Sequence, residues 1–207
     1  MLSVHAYCAQ PLEVQGLKFQ PRIIGGTPSA ITYPWMVALK QDETHFCGGV
    51  LIHEYYVLTA AHCLENVSAH DITLLIGSND YTRADEAEVR DVNYIIAHEA
   101  YSLSSLEHDI AVIRLSEASA KTPINLLSAQ KFSSNITQNT QLTVMGWGLT
   151  NELDNQSSTT LLQQVDVSFQ QRDVCGAAYG ALSQSYWDNT YCAGEVSGGK
   201  DSCSGDS

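Results

Sequence analysis

Thr59-Ala60-Ala61-His62-Cys63 follows directly on the apolar run Gly49 to Leu58, and it presents an imidazole at the end of an expected strand. A histidine in that place serves either structure or chemistry. Here Cys63 offers a disulfide anchor, with Cys47 a hairpin away, and such a link would fix the backbone beside the imidazole. Upstream, Trp35 to Leu39 and Gly49 to Leu58 are short apolar runs separated by the polar tract Lys40 to His45, which predicts a hairpin. Downstream come Ile72 to Ile76, Val92 to Ala97 and Ile110 to Leu115, the last preceded by His108-Asp109. A second set starts near Gln141: Leu142 to Trp147 with its Gly-Trp-Gly centre, Leu161 to Phe169, and Tyr191 to Gly194. β-Branched and aliphatic residues at this spacing, broken by Gly77, Asn79 and other turn formers, predict an all-β domain rather than helices. The natural division is two β-units joined around residues 116 to 136, with Thr150 to Thr160 as an exposed loop.

At 207 residues the chain fits one large domain or two small ones, and 44% hydrophobic residues suffice for a core. No apolar run approaches the roughly 20 residues needed to span a bilayer. With 23 acids against 10 basic residues, the net charge of −13 disfavours a phosphate backbone, so neither nucleic acid nor membrane is expected as a partner. The acidity suits cations or basic substrates, or serves solubility alone. Six cysteines, Cys8, Cys47, Cys63, Cys175, Cys192 and Cys203, lack the paired Cys-x-x-Cys spacing that holds zinc. Disulfides in an oxidising compartment are the better reading, which makes a secreted, periplasmic or extracellular location the expectation. Met1 to Gln10 carry no basic stretch and too short an apolar run for a signal peptide, although Val4-His5-Ala6 has the small-residue character of the end of one. The start is therefore expected to be missing or misassigned. Residues 1 to 22, punctuated by Pro11 and Pro21, read as a leader with little structure.

The chain stops at Gly199-Lys200-Asp201-Ser202-Cys203-Ser204-Gly205-Asp206-Ser207. Gly-Asp-Ser by itself is an ordinary turn sequence. A nucleophilic serine needs a base to take its proton and an acid to hold that base in the right tautomer, and His62 and Asp109 are candidates for both. The order His62, Asp109, Ser207 excludes the elbow of the α/β-hydrolases, where the serine precedes its acid and histidine. A zinc protease would require His-Glu-x-x-His on a helix, and neither His53-Glu54 nor His98-Glu99 has a second histidine at that spacing.

Six motifs occur in one order: Arg22-Ile23-Ile24-Gly25-Gly26, Thr59-Ala60-Ala61-His62-Cys63, Asp109-Ile110-Ala111-Val112, Gly146-Trp147-Gly148, Tyr191-Cys192-Ala193-Gly194 and Gly205-Asp206-Ser207. With these the chain resembles the trypsin-like serine proteases of the chymotrypsin family, peptidase family S1, from Arg22 to Ser207. The resemblance implies two Greek-key antiparallel β-barrels, the first at about 23 to 120 and the second at about 121 to 207. It implies Ser207 as nucleophile, His62 as base, Asp109 as its orienting acid, and the backbone N–H groups of Gly205 and Ser207 as the oxyanion hole. Cleavage after Arg22 is implied to free the amino group of Ile23, which inserts and pairs with Asp206, so the chain is expected to be made as a zymogen. Asp201, six residues before Ser207, takes the place of the acid that selects Arg or Lys.

The resemblance further implies the pairs Cys47 with Cys63 and Cys175 with Cys192, leaving Cys8 and Cys203 over. Protein or peptide substrates with Arg or Lys at the cut bond are the expected partners, with protein protease inhibitors a further class, and a monomer is expected. No cofactor is required. Asp80, Asp85 and Glu88 fall in the loop that binds calcium in some relatives, or form a solvated acidic loop. Asn66-Val67-Ser68, Asn135-Ile136-Thr137 and Asn155-Gln156-Ser157 match the glycosylation pattern. The family continues past the serine with two glycines, a proline, further strands and a helix. The second barrel is thus expected to be incomplete with an open edge, Cys203 to lack its partner, and the chain to be a fragment of a longer protease. Two readings follow: a serine endopeptidase, or a catalytically inert protease-like protein or binding module.

Overall fold

The computed structural model describes residues 3–6, 22–148, 159–171, 173–174, 190–195 and 201–203, with the backbone alone described at 3–6, 22–24, 190 and 201–203. The strands are β1 (Ser3–Ala6), β2 (Arg22–Ile24), β3 (Thr27–Pro28), β4 (Met36–Gln41), β5 (Thr44–His53), β6 (Tyr56–Thr59), β7 (Thr73–Ile76), β8 (Glu88–Ala97), β9 (Ala111–Leu115), β10 (Gln141–Gly146), β11 (Gln163–Gln170), β12 (Thr190–Ala193) and β13 (Asp201–Cys203). Two 3₁₀ turns, His62–Leu64 and Ala69–Asp71, and the helix α1 (Ala129–Asn135) accompany them, and Asp173 and Val174 are also helical. Each apolar run of the sequence forms a strand, and the all-β expectation holds. The run Gly49 to Leu58 is the exception in detail, because a turn at Glu54-Tyr55 divides it between β5 and β6.

Two compact units are present: Ser29 to Leu126, and the described residues of Met1–Pro28 together with Leu127–Asp206. The first is a closed barrel in the order β4-β5-β6-β9-β8-β7. Closure follows from β4 pairing on both sides, Val37 opposite Gly49 of β5 and opposite Ile76 of β7. Alternate residues point inward, and Val37, Leu39, Leu51, Val57, Leu74, Ile76, Ile113 and Leu115 are fully shielded from solvent. Strands β5 and β6 approach so closely at Gly49 that a Cβ there would stand 2.9 Å from the Leu58 carbonyl oxygen and 2.9 Å from Val57 Cγ1. Only glycine fits. The expected hairpin turns at Asp42 and Glu43, whose φ values of 47° and 64° give the mirror-image geometry that matches strand twist. Glu43 secures this turn by accepting from Lys40 Nζ at 2.7 Å.

In the second unit β10, β11 and β12 run antiparallel in sequence order, with Val144 opposite Val165 and Phe169 opposite Ala193. Val165, Val167 and Ala193 form its buried centre, with Leu142 and Val144 packed against them. Helix α1, in the segment where the sequence reading joined the two β-units, is capped by Ser128 accepting from the Lys131 N–H at 3.3 Å. Its Phe132 ring meets Tyr191 at 4.4 Å between centroids and Phe169 at 5.8 Å.

The leader differs from expectation. Ser3–Ala6 pair in parallel with Thr190–Ala193, and Arg22–Ile24 pair antiparallel with Asp201–Cys203. A short extended segment satisfies its backbone groups by joining an available edge.

His45 on β5 stacks on Tyr81 with ring centroids 4.7 Å apart. Burial pushes its imidazole down to about 4. The unfolded chain therefore takes up this proton first, so stability complete above the ordinary value of 6.5 falls as pH drops towards 4. That window corresponds to about 3 kcal/mol. Urea unfolding midpoints between pH 7 and 4 should fall steeply in the parent chain (a range of about three units around ordinary histidine titration) and less steeply in His45→Gln.

Candidate active site

Strand β6 ends at Thr59, whose hydroxyl donates to the Gly48 carbonyl at 2.7 Å. Ala60 and Ala61 are buried, and the chain then tightens into the 3₁₀ turn that begins at His62. Cys63 in this turn is disulfide-bonded to Cys47 on β5, with the Cα atoms 6.1 Å apart. The expected pair is therefore formed, and it ties the residue after His62 to the barrel wall.

Asp109 reaches the same point from the opposite direction, at the end of the loop from His98 and just before β9. This loop closes on itself through the Ser102 N–H bonding to the Glu107 carbonyl at 3.1 Å and the Leu106 N–H to the Ser102 carbonyl at 2.7 Å. Leu106 and His108 adopt left-handed φ values of 54° and 56°, a conformation that costs a non-glycine residue on the order of 1 kcal/mol. The His108 ring stacks on His98 at 4.7 Å, with planes 8° apart.

Asp109 is 7% exposed. One of its oxygens accepts from the His62 backbone N–H at 2.8 Å, and the other faces His62 Nδ1 at 2.7 Å. A buried carboxylate demands such donors. The contact places the proton of neutral His62 on Nδ1 and leaves Nε2 as the basic atom. With its side chain 22% exposed, His62 remains reachable from solvent. The Cys63 sulfur lies 3.6 Å from Nε2.

Tyr101 was not singled out by the sequence reading, since nothing in its neighbours marks it. It packs on the barrel core, and its hydroxyl is buried with no hydrogen-bond partner. Burial, then the negative charges of Asp109 and Glu65, push it up to about 12, so it stays neutral.

Several expected site residues are only partly described. Ser207, Gly205, Asp206, Cys175, Cys8 and Asn155 lie outside the described residues. Arg22, Ile23, Asp201 and Cys203 are placed by their backbones in β2 and β13. Cys192 is disulfide-bonded, and its partner is not among the described side chains.

The trypsin family model matches residues 23–207. The chain belongs to the trypsin family. Over 177 residues it is 35% identical to trypsin Blo t 3 of Blomia tropicalis, covering 84% of this chain and 65% of that protein. Trypsin delta of Drosophila erecta is 34% identical over 187 residues, 90% of this chain and 72% of that protein. A VesB protease structure from Vibrio cholerae superposes with a TM-score of 0.72 at 32% identity, over 86% of this chain and 55% of that one. This trypsin-family chain thus spans about two thirds of the length of the Blomia protein and about half of the Vibrio chain. Its fold class is that of chymotrypsin-like proteases, with the closed barrel as the complete unit among the described residues.

Metal-ligating types come close together at one place among the described residues, Cys47, His62 and Cys63, but the two sulfurs are bonded to each other. The carboxylates of the acidic loop are engaged within the protein. Asp80 Oδ1 accepts from the Thr82 N–H at 2.9 Å and from its hydroxyl at 2.7 Å. Both Asp85 oxygens face Arg83, each at 3.0 Å, which holds that carboxyl below the usual range. Arg83 also meets Glu86 at 2.8 Å. Glu88 Oε2 accepts from the Ala120 N–H at 3.0 Å, and its Oε1 faces Arg90 at 3.3 Å. Arg83 supplies the positive charge that a metal would bring. Thermal unfolding in millimolar calcium should match that in excess chelator within about 1 °C, since a ligand that does not bind the native state leaves its midpoint unmoved.

Proposed function

We propose that the whole protein is a secreted serine endopeptidase, made as a zymogen, that hydrolyses peptide bonds after Arg or Lys through an acyl-enzyme. The observation that carries this reading is the pair of hydrogen bonds that Asp109 accepts from the His62 backbone N–H and ring Nδ1, which orients a basic Nε2. Trypsin-family membership supports reading Ser207 as the nucleophile. In the reading, Ser207 Oγ attacks the scissile carbonyl while its proton passes to His62 Nε2. Asp109 stays ionised and stabilises the imidazolium. The N–H groups of Gly205 and Ser207 hold the oxyanion, each donor being worth about 3 kcal/mol. His62 then protonates the departing amine, and water releases the acyl group by the same steps in reverse.

Asp201 would select Arg or Lys by desolvated charge pairing, and the negative net charge of the chain favours basic substrates. The formed disulfide supports an oxidising, extracellular setting. No catalytic metal enters these steps. Neither nucleic acid nor membrane is a partner in this reading, protein protease inhibitors are, and the enzyme acts as a monomer. The second reading is a catalytically inert protease-like protein or binding module.

A fluorophosphonate probe, applied after limited trypsin treatment, should label this chain and not Ser207→Ala. Labelling of neither would establish the inert reading for these residues. On the labelled enzyme, Asp201→Ser should lower cleavage after Arg and Lys by a factor on the order of 1,000 or more, as loss of a desolvated charge pair requires. An unchanged preference removes Asp201 from the specificity pocket.

A further inference from the structure

Three side chains of metal-ligating type converge beside the dyad. The Cys47 and Cys63 sulfurs and a ring nitrogen of His62 all lie within 4.8 Å of one another. His62 Nε2 stands 3.6 Å from the Cys63 sulfur. In a tetrahedral zinc site a thiolate at about 2.3 Å and an imidazole nitrogen at about 2.0 Å are about 3.5 Å apart. The nitrogen and the Cys63 sulfur are thus already spaced for a shared ion. What keeps an ion out is the bond between the sulfurs, which leaves neither of them a thiolate.

The surroundings of His62 suit the same role. Its Nδ1 faces one Asp109 oxygen at 2.7 Å, and its backbone N–H donates to the other at 2.8 Å. A carboxylate behind the ring is the usual support of a zinc-bound imidazole, because it fixes the tautomer that leaves Nε2 able to ligate. Two thiolates cancel the charge of a divalent ion, so the ion adds no net charge beside the buried Asp109. Cys47 and Cys63 are buried, whereas the His62 side chain is 22% exposed. The open side is therefore at the histidine, where water fills the fourth position.

We propose that reduction of the Cys47–Cys63 disulfide turns Cys47, Cys63 and His62 into a binding site for zinc, or for another divalent ion that accepts tetrahedral sulfur and nitrogen ligands. A phosphine reductant breaks the S–S bond, takes the oxygen of one water to become the phosphine oxide, and leaves that water's two hydrogens on the sulfurs. Zinc then forms two Zn–S bonds and one Zn–N bond, and the two thiol protons pass to solvent. The ion occupies the Nε2 lone pair that would otherwise accept the serine proton. The disulfide thus keeps the base available, and reduction in the presence of metal removes it. This consequence for activity rests on the protease reading; the site itself does not.

The test uses the full chain, reduced with the phosphine, freed of it and titrated with cobalt(II). Thiolate charge-transfer and visible bands report tetrahedral ligation, and near-ultraviolet circular dichroism reports the fold. The reduced chain should take up cobalt with these bands and the native dichroism, whether that fold survives reduction or returns on metal binding. Zinc should displace the cobalt, since it stands above cobalt in the affinity order. The oxidised chain should show no band that depends on His62. His62→Ala should remove one equivalent of cobalt or weaken it at least about tenfold, and Asp109→Asn, which keeps all three ligands, should weaken it about 10- to 100-fold. Cobalt held by other cysteines is indifferent to His62→Ala, so the loss assigns the ion. Absence of the bands, bands without the native dichroism, or binding that either variant leaves unchanged overturns the site. No activity is measured, so the protease reading stands or falls separately, on the fluorophosphonate.

Discussion

Asp109 gives one carboxylate oxygen to the backbone N–H of His62 and the other to its ring. A carboxylate buried this deeply is tolerable only if donors replace the water it has lost. Both donors come from one residue, so solvating the acid and orienting the base are a single event. The backbone bond fixes where the histidine starts, and the ring bond fixes how it turns. Any displacement of the 3₁₀ turn therefore acts on both bonds together.

The barrel exists to make that arrangement affordable in conformational terms. His62 follows β6 and Asp109 precedes β9, and these strands are direct neighbours, with Thr59 opposite Ala111. The two side chains thus emerge at the same end of one ladder. The Cys47–Cys63 link then ties the far side of the histidine turn to β5, while the left-handed residues Leu106 and His108 bend the acid's loop back on itself. Three strands and one covalent bond hold two side chains.

How far the sequence spoke depended on the range of the forces involved. Alternating apolar runs such as Ala111 to Leu115 follow from burial on one face, a local property, and they were legible. His62, Cys47 and Cys63 were legible because a motif fixes them beside a strand end. The break at Glu54-Tyr55 was not, since neither residue is a strong turn former and the turn is imposed by the pairing of β5 with β6. Helix α1 was missed because its apolar contact comes from the single ring of Phe132, which meets Phe169 and Tyr191 from distant strands. The acidic loop of Asp80, Asp85 and Glu88 read either as oxygen ligands or as a solvated loop, and in the structure Arg83 meets Asp85 and Glu86 within it. The β1 and β2 pairings were illegible because they depend on edges offered by strands more than 170 residues away.

Barrel closure also has a kinetic side. The pairing of β5 with β6 is a local hairpin, and the disulfide across it spans 16 residues, so both can form early. Strand β9 must find β6 from about fifty residues away, and such long-range contacts set the pace of folding in all-β chains. Asp109 sits at the leading end of β9. The acid therefore meets its histidine only once β9 has paired with β6, and the dyad follows that long-range pairing rather than seeding it.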